Sequence, residues 1–414
     1  MQRTRNRSHL PDALLVTISF LSYVAIGLPG GVLGVAWPSI RASFGLSLDA
    51  IGMLFIAHTL GYLLSGYSNG QLTARLGVGH LMALSSTLGG LGMLGYALAP
   101  GWGVMILCGL LAGAGTGAID AGMNTYFASN HSASLMNWLH ACFGLGAAIA
   151  PALTTAVLSA GYSWRWSYGV VAAALVLTAL CFALTARAWR LDTETSDEQE
   201  TSAPSDLTGI DPPSTHVRTI DTLRLQAVWL GITMFFVFTG LEASGGQWPY
   251  TLFTEGRGID SAMAGFWVSA YWASLTVGRI LFGVAASRIS TAVLLRIAMS
   301  GCVLGTALIW WNPTNTISLL GLALLGFALA PIFPLSISDT TRQIGTRHAP
   351  NAIGFQVAAA SLGIAVLPGL GGLLAERLGL EIIGPFLLVL AVLVLVLHEW
   401  FVSKGRTTEV EETL

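Results

Sequence analysis

Three charged side chains, Asp120, Glu242 and Arg279, stand inside long apolar runs of the sequence. A charge near the centre of a bilayer costs about 2.5–3.5 kcal/mol on insertion scales, so a carboxylate kept there has a reason to be there. A carboxyl group whose contact with water alternates can take up and release a proton. That makes Asp120 and Glu242 candidate proton carriers. His140 follows Asn137 by three residues, so one helical face can hold both. Histidine titrates near neutral pH, and His140 is a candidate relay to Asp120. Arg279 is placed to snorkel or to pair across a gate.

Asp120 shares a helical stripe with Gly113, Gly117 and Asn124, at steps of four, three and four. Small residues at one end and polar residues at the other suit a helix that packs closely and then opens onto water. Asp120 is expected about 12 Å from one end of its span, and Glu242 about 9 Å from the opposite end of its own. Glu242 precedes Gly245-Gly246 and Trp248-Pro249. That pattern predicts a helix end that unwinds and exposes backbone groups.

The elements that must position these residues are helices in lipid. Hydrophobic residues make up 54% of the 414, and charged residues only 10%. A soluble domain carries about 25% charge and could not hide this much apolar surface. A soluble enzyme and a disordered chain are excluded on that ground. The net charge of −2 leaves no basic footprint for nucleic acid. Spans need about 20 apolar residues each. Twelve are expected, at 13–36, 50–70, 80–99, 102–128, 136–160, 166–186, 225–248, 262–286, 291–311, 316–338, 351–375 and 380–402. The first run lacks a clean cleavage site and is expected to be a retained helix rather than a signal peptide.

Cys108, Cys142, Cys181 and Cys302 all fall in expected spans without paired spacing. Neither a disulfide nor a metal site is expected from them, and no cofactor motif stands out. Gly66-Tyr67-Ser68-Asn69-Gly70 spells a nucleophile elbow but ends an apolar helix, without partners for a triad. Gly90-Leu91-Gly92-Met93-Leu94-Gly95 spells a dinucleotide fingerprint inside the third span, with no strand before it. The first is set aside, and the second is read as helix packing.

Basic residues orient the chain. With the N-terminus in the cytosol, fourteen of the nineteen basic side chains fall on the cytosolic side, from Arg3, Arg5 and Arg7 through Arg190 to Lys404 and Arg406. The opposite side receives four: Arg41, Arg165, Arg257 and Arg377. This asymmetry predicts twelve spans with both termini cytosolic. An acidic, proline-containing stretch at 187–223 reads as a solvated linker. The expected organisation is a six-helix bundle over 1–186, the linker at 187–223, a second six-helix bundle over 224–403 and a cytosolic tail at 404–414.

The two halves repeat. A shift of 213 positions lays Gly27-Leu28 on Gly240-Leu241, Gly70 on Gly283, Arg75 on Arg288 and Gly113 on Gly326. A shift of 211 lays Trp37-Pro38 on Trp248-Pro249, a rarer coincidence than shared glycines. With 217, Gly146 and Pro151 meet Gly363 and Pro368. Two six-helix halves in parallel duplication are the architecture of major facilitator transporters.

The resemblance extends to motifs. Gly70-Gln71-Leu72-Thr73-Ala74-Arg75-Leu76-Gly77 is similar to that superfamily's signature between helices 2 and 3, with Ala74 where the signature has Asp. Three stretches resemble the fucose–galactose–glucose:proton symporter branch. They are Asp120-Ala121-Gly122-Met123-Asn124; Leu135-Met136-Asn137-Trp138-Leu139-His140 with Phe143-Gly144-Leu145-Gly146; and Thr276-Val277-Gly278-Arg279. Fucose permeases use a carboxylate in the first helix, and this first helix has no acid between Tyr23 and Ala36.

The resemblance implies an all-α membrane protein with twelve transmembrane helices. It implies a secondary-active transporter, not an enzyme, taking up a monosaccharide or similar polyhydroxyl solute with protons by alternating access. A sugar needs flat aromatic faces and amide groups in a partly dry cleft. Trp248, Tyr271 and Trp272 are candidates for stacking, with Asn124, Asn137, Gln247 and Gln356 for hydrogen bonds. Arg75, Arg279 and Arg288 are candidate gate residues. The expected setting is the plasma membrane (the inner membrane in a bacterium), as a monomer whose partners are lipid, sugar and protons. Export of amphipathic compounds on the same scaffold is the alternative, and a non-transporting sensor the remoter one.

Overall fold

Each apolar run folds as a helix, because in lipid every backbone amide and carbonyl must find its partner within its own segment. The computed structural model describes residues 12–189, 218–286 and 288–411. Among them, twelve helices are long and apolar enough to cross a membrane. They are α1 (Asp12–Phe44), α2 (Leu48–Leu76), α3 (Val78–Leu98), α4 (Trp102–Asn130), α5 (Ser134–Ser159) and α6 (Arg165–Ala188). The rest are α7 (Gln226–Gly256), α8 (Ser261–Ala285), α9 (Thr291–Trp311), α10 (Asn315–Ile344), α11 (Ala349–Leu378) and α12 (Leu380–Lys404). The described residues contain no strand. The chain is an all-α, multi-pass membrane protein.

The expected linker lies outside the described residues over 190–217, apart from a short helix, Thr219–Leu223, near its end. Arg3, Arg5, Arg7, Arg190 and residues 412–414 also lie outside them.

Several helices outrun their apolar cores. The α7 helix is unbroken from Gln226 to Gln247, bends at Trp248 and continues through Pro249–Thr251 into a π-helical turn, Leu252–Gly256. The unwinding expected at Gly245-Gly246 does not occur. Those glycines instead allow close approach: a Cβ on Gly246 would collide with the Trp272 ring, and one on Gly34 would stand 2.7 Å from the Gly246 carbonyl. In α10, a break after Leu329 comes at Ala330 and Pro331, and the helix resumes at Ile332.

The chain divides into two compact units. One holds Met1–Pro29, Leu60–Gly146 and Arg165–Ser205; the other holds Gly30–Thr59, Ala147–Trp164 and Asp206–Leu414. The α1, α2 and α5 helices are therefore shared by both. In the first unit, α3 packs on α4 and α6 through small residues, with Gly89 on Gly115 and Gly90 beside Leu175 and Val176. The α2 helix lies on α4 where Gly61 faces Leu110 and Gly117 faces the Tyr62 backbone. Gly146 brings α5 onto the Val24 carbonyl of α1.

The second unit is tied by charges at the end where α1 turns into α2. Arg41 pairs with Glu255 at 2.6 Å, and Glu376 accepts the Leu48 N–H at 2.7 Å, at the start of α2. Arg257, only 3% exposed, holds both Glu381 oxygens at 2.8 and 2.7 Å and also donates to Ser318 and the Ile309 carbonyl. Below these charges Gly52 lies on Gly369, and Gly265 lies on Thr155.

Helix approach at Gly117 is the contact that sets α2 against α4 near Asp120. Gly117→Val is expected to overpack it by about 1–3 kcal/mol. Thermal unfolding in detergent reads this as a clearly lower midpoint than wild type; an unchanged midpoint contradicts the close packing.

Candidate functional site

In the first unit four helices meet at one carboxylate. Asp120 lies on α4, one turn beyond the Gly117 contact, and is half-buried. Tyr62 of α2 donates to Asp120 Oδ2 at 2.6 Å, and Tyr23 of α1 donates to Oδ1 at 3.0 Å. Asn124, one turn along α4, donates its Nδ2 to Oδ1 at 3.2 Å. Its Oδ1 lies 3.1 Å from His140 Nε2 on α5, so His140 is the donor in that bond. The Tyr23 ring meets His140 edge-on at 5.6 Å and is fully buried.

The structure brings His140 near Asp120 without direct contact, with Asn124 between them. Asn137 does not join the cluster; it is exposed on α5, one turn from His140. Tyr23 and Tyr62 were missed in the sequence. They lie 97 and 58 residues from Asp120, and only the Gly117 stripe pointed to where a neighbour would come close.

Every partner of the Asp120 carboxylate is a neutral donor. Such an acid can be neutralised without stranding a buried cation, which would be costly.

Glu242, in the second unit, is handled differently. Arg279 of α8 stands 4.0 Å from its Oε1, with the two side chains 33% and 22% exposed. Tyr271, fully buried, donates to the Glu242 backbone carbonyl at 2.8 Å. Because α7 continues to Gly256, Glu242 lies near the middle of its span rather than near one end. Arg279 therefore pairs within α7 and α8. Arg75 and Arg288 are exposed at helix ends.

The remaining candidates divide into engaged and unengaged groups. Trp248 is fully buried, with its Nε1 donating to the Pro368 carbonyl at 3.0 Å and its ring against Gly371 and Gly372. Gln356 is fully buried and both ends of its amide meet the Thr340 hydroxyl, at 3.0 and 3.1 Å. By contrast, Nε2 of Gln247 and Nε1 of Trp272 are buried without a protein partner.

Asp339 is a further buried acid. The α10 helix runs past residue 338 to Ile344 and carries Asp339 near its end; it is 3% exposed and bonded to Arg342 at 2.6 Å. No group of three or more His, Cys, Asp or Glu able to hold a metal occurs among the described residues.

The sequence profile described as Major Facilitator Superfamily matches residues 18–245 and again 230–413. The chain belongs to the Major Facilitator Superfamily. It is similar to Bypass of stop codon protein 6 of Saccharomyces cerevisiae, 22% identical over 395 residues, covering 89% of this chain and 78% of that protein. It is also similar to the glucose/mannose transporter GlcP of Bacillus subtilis, 23% identical over 350 residues and covering 82% of each. Among solved structures, a bacterial homologue of the lysosomal transporter Spinster superposes with a TM-score of 0.74 at 14% identity, over 96% of this chain and 97% of that one. The nucleoside transporter NupG gives 0.67 at 15% identity, over 95% and 98%. At these identities the structures speak for the shared fold. The protein is a membrane transporter of this superfamily and not an enzyme.

Gln356→Leu is expected to break the link between α11 and Thr340 of α10, leaving the Thr340 hydroxyl only its bond to the Ser336 carbonyl, and to lower stability by about 0.5–1.5 kcal/mol. Thermal unfolding measures this loss. A wild-type midpoint contradicts the structural role given to the amide.

Proposed function

We propose that the protein takes up a monosaccharide together with protons, by alternating access. Asp120 carries the proton, and His140 communicates with it through Asn124. The observation that carries this reading is the carboxylate held in a membrane span by neutral donors alone. It can exchange a proton at little electrostatic cost to its surroundings, whereas Glu242 faces Arg279. Glu242 is accordingly assigned to a charge pair with Arg279, in a supporting rather than a proton-carrying role.

The sugar assignment is supported by similarity to GlcP, which is named for glucose and mannose. Among the candidate sugar ligands, Gln247 and Trp272, both in the second unit, have the stronger claim. Gln247 and Trp272 each keep a buried donor that a sugar hydroxyl would satisfy. Trp248, Tyr271 and Gln356 are committed to helix packing and have the weaker claim. We also assign the plasma membrane as the location, with both termini in the cytosol and the Arg41–Glu255 end facing outward.

Proteoliposomes given an inward pH gradient and radiolabelled D-glucose, D-mannose, D-galactose and L-fucose test this. At least one hexose should accumulate, and a protonophore should abolish the accumulation. Asp120→Asn should remove uphill uptake while sugar exchange across the membrane persists. If no sugar accumulates and amphipathic compounds instead drive proton flux, the reading is overturned in favour of export. Full accumulation by Asp120→Asn would move the proton to Glu242 or His140.

A further inference from the structure

The two oxygens of the Asp120 carboxylate are not equivalent. Oδ1 accepts two hydrogen bonds, from Tyr23 and from Asn124. Oδ2 accepts one, from Tyr62, and it is the shortest of the three at 2.6 Å. A neutral carboxyl group accepts best through its carbonyl oxygen, so the oxygen that already holds two donors is the one to stay unprotonated. Asn124 is held by His140, so turning its amide to accept from a protonated Oδ1 would break that bond. Tyr23 is fully buried against His140, with its hydroxyl also 3.4 Å from the Asp120 backbone carbonyl.

Tyr62 is different. It is half-buried, and Asp120 Oδ2 is the partner of its hydroxyl. A proton arriving at the carboxylate must therefore settle on Oδ2. The new Oδ2–H needs an acceptor, and the Tyr62 hydroxyl is the group in place. It must turn from donor to acceptor, or leave. In the first case the Tyr62 O–H···Oδ2 bond is exchanged for an Oδ2–H···Oη bond. One proton is gained, and no electrons are transferred. A charge-assisted bond becomes a neutral one of roughly half the strength.

The change falls on α2. Near Asp120 that helix is seated on α4 by the Tyr62 backbone on Gly117 and by the Tyr62 hydroxyl on Asp120. The Tyr62 carbonyl accepts the Ser65 hydroxyl of α2 itself at 3.1 Å. A proton on Oδ2 leaves the Tyr23 and Asn124 donors their acceptor, Oδ1. The titratable groups facing Asp120 are Tyr23 from α1, Tyr62 from α2 and, through Asn124, His140 from α5. The α3 helix meets α4 beside this site at Met82, which is uncharged.

We propose that Tyr62 is the positioning residue that converts protonation of Asp120 into release of α2 from α4. The proposal rests on the reading of Asp120 as the proton carrier, and its test separates the two.

Infrared difference spectra of the purified full chain in lipid, taken across a step from alkaline to acid pH, need no substrate. Wild type should show a carboxylic C=O band rising together with a tyrosine ring-mode change. Asp120→Asn should lose both. Tyr62→Phe should keep the carboxylic band and lose the tyrosine change, and Tyr23→Phe should keep both. Deuterium exchange of the α2 backbone should rise on acidification in wild type but not in Tyr62→Phe. Should Tyr62→Phe fold poorly, fluorotyrosine placed at position 62 should shift its fluorine resonance with the same pH step, and should not in Asp120→Asn. A tyrosine change that survives Tyr62→Phe and disappears in Tyr23→Phe overturns the assignment to α2. A carboxylic band that persists in Asp120→Asn, or never rises in wild type, overturns the underlying proton reading instead.

Discussion

A negative charge inside a membrane span must be stabilised by its neighbours, and the first unit is organised around doing so for Asp120. The insertion cost of about 2.5–3.5 kcal/mol is offset by three donors that arrive from different places in the chain. Two come from other helices, and α2 approaches α4 far more closely than a bulky side chain would permit. Gly117 admits the Tyr62 backbone, and Gly146 lets α5 lie against α1, where His140 meets Tyr23. The small residues of the helical stripe and the polar cluster beyond it are therefore parts of one arrangement. Close packing creates the place in which a carboxylate can be held.

The other unit treats its acids by another rule. Glu242 faces Arg279, Asp339 is bonded to Arg342, and the deeply buried Arg257 grips Glu381. Removing the charge from an acid beside a buried cation leaves that cation uncompensated. An acid surrounded by hydroxyls and an amide carries no such penalty. The proposed assignment of proton exchange to Asp120 rather than to Glu242 follows from that difference in partners.

Much of this was legible in the sequence. Twelve apolar runs announced twelve helices, and the scarcity of charge singled out Asp120, Glu242 and Arg279 without any structural knowledge. Helix ends were less legible, because hydropathy registers the oily core and not the polar turns that continue it. That is why α10 ran on to include Asp339 and α7 put Glu242 nearer the middle of its helix than expected. Gly245-Gly246 carried two physical meanings, a flexible hinge or a flat packing surface. Only the presence of Gly34 and Trp272 opposite decided for packing. Tyr23 and Tyr62 were illegible for a simpler reason: no local pattern tells a tyrosine which distant acid it will meet. Trp248 and Gln356 have the residue types of a sugar site, yet the helices consume their polar groups internally.

In the proposed function, transport and proton movement pass through one side chain, Asp120. The most direct measurement is the pH of a lightly buffered suspension of energy-depleted cells making the protein, recorded as each transported hexose is added. The account predicts alkalinisation of the medium in wild type and none with Asp120→Asn, although that variant still exchanges the sugar. Equal alkalinisation in both would contradict it.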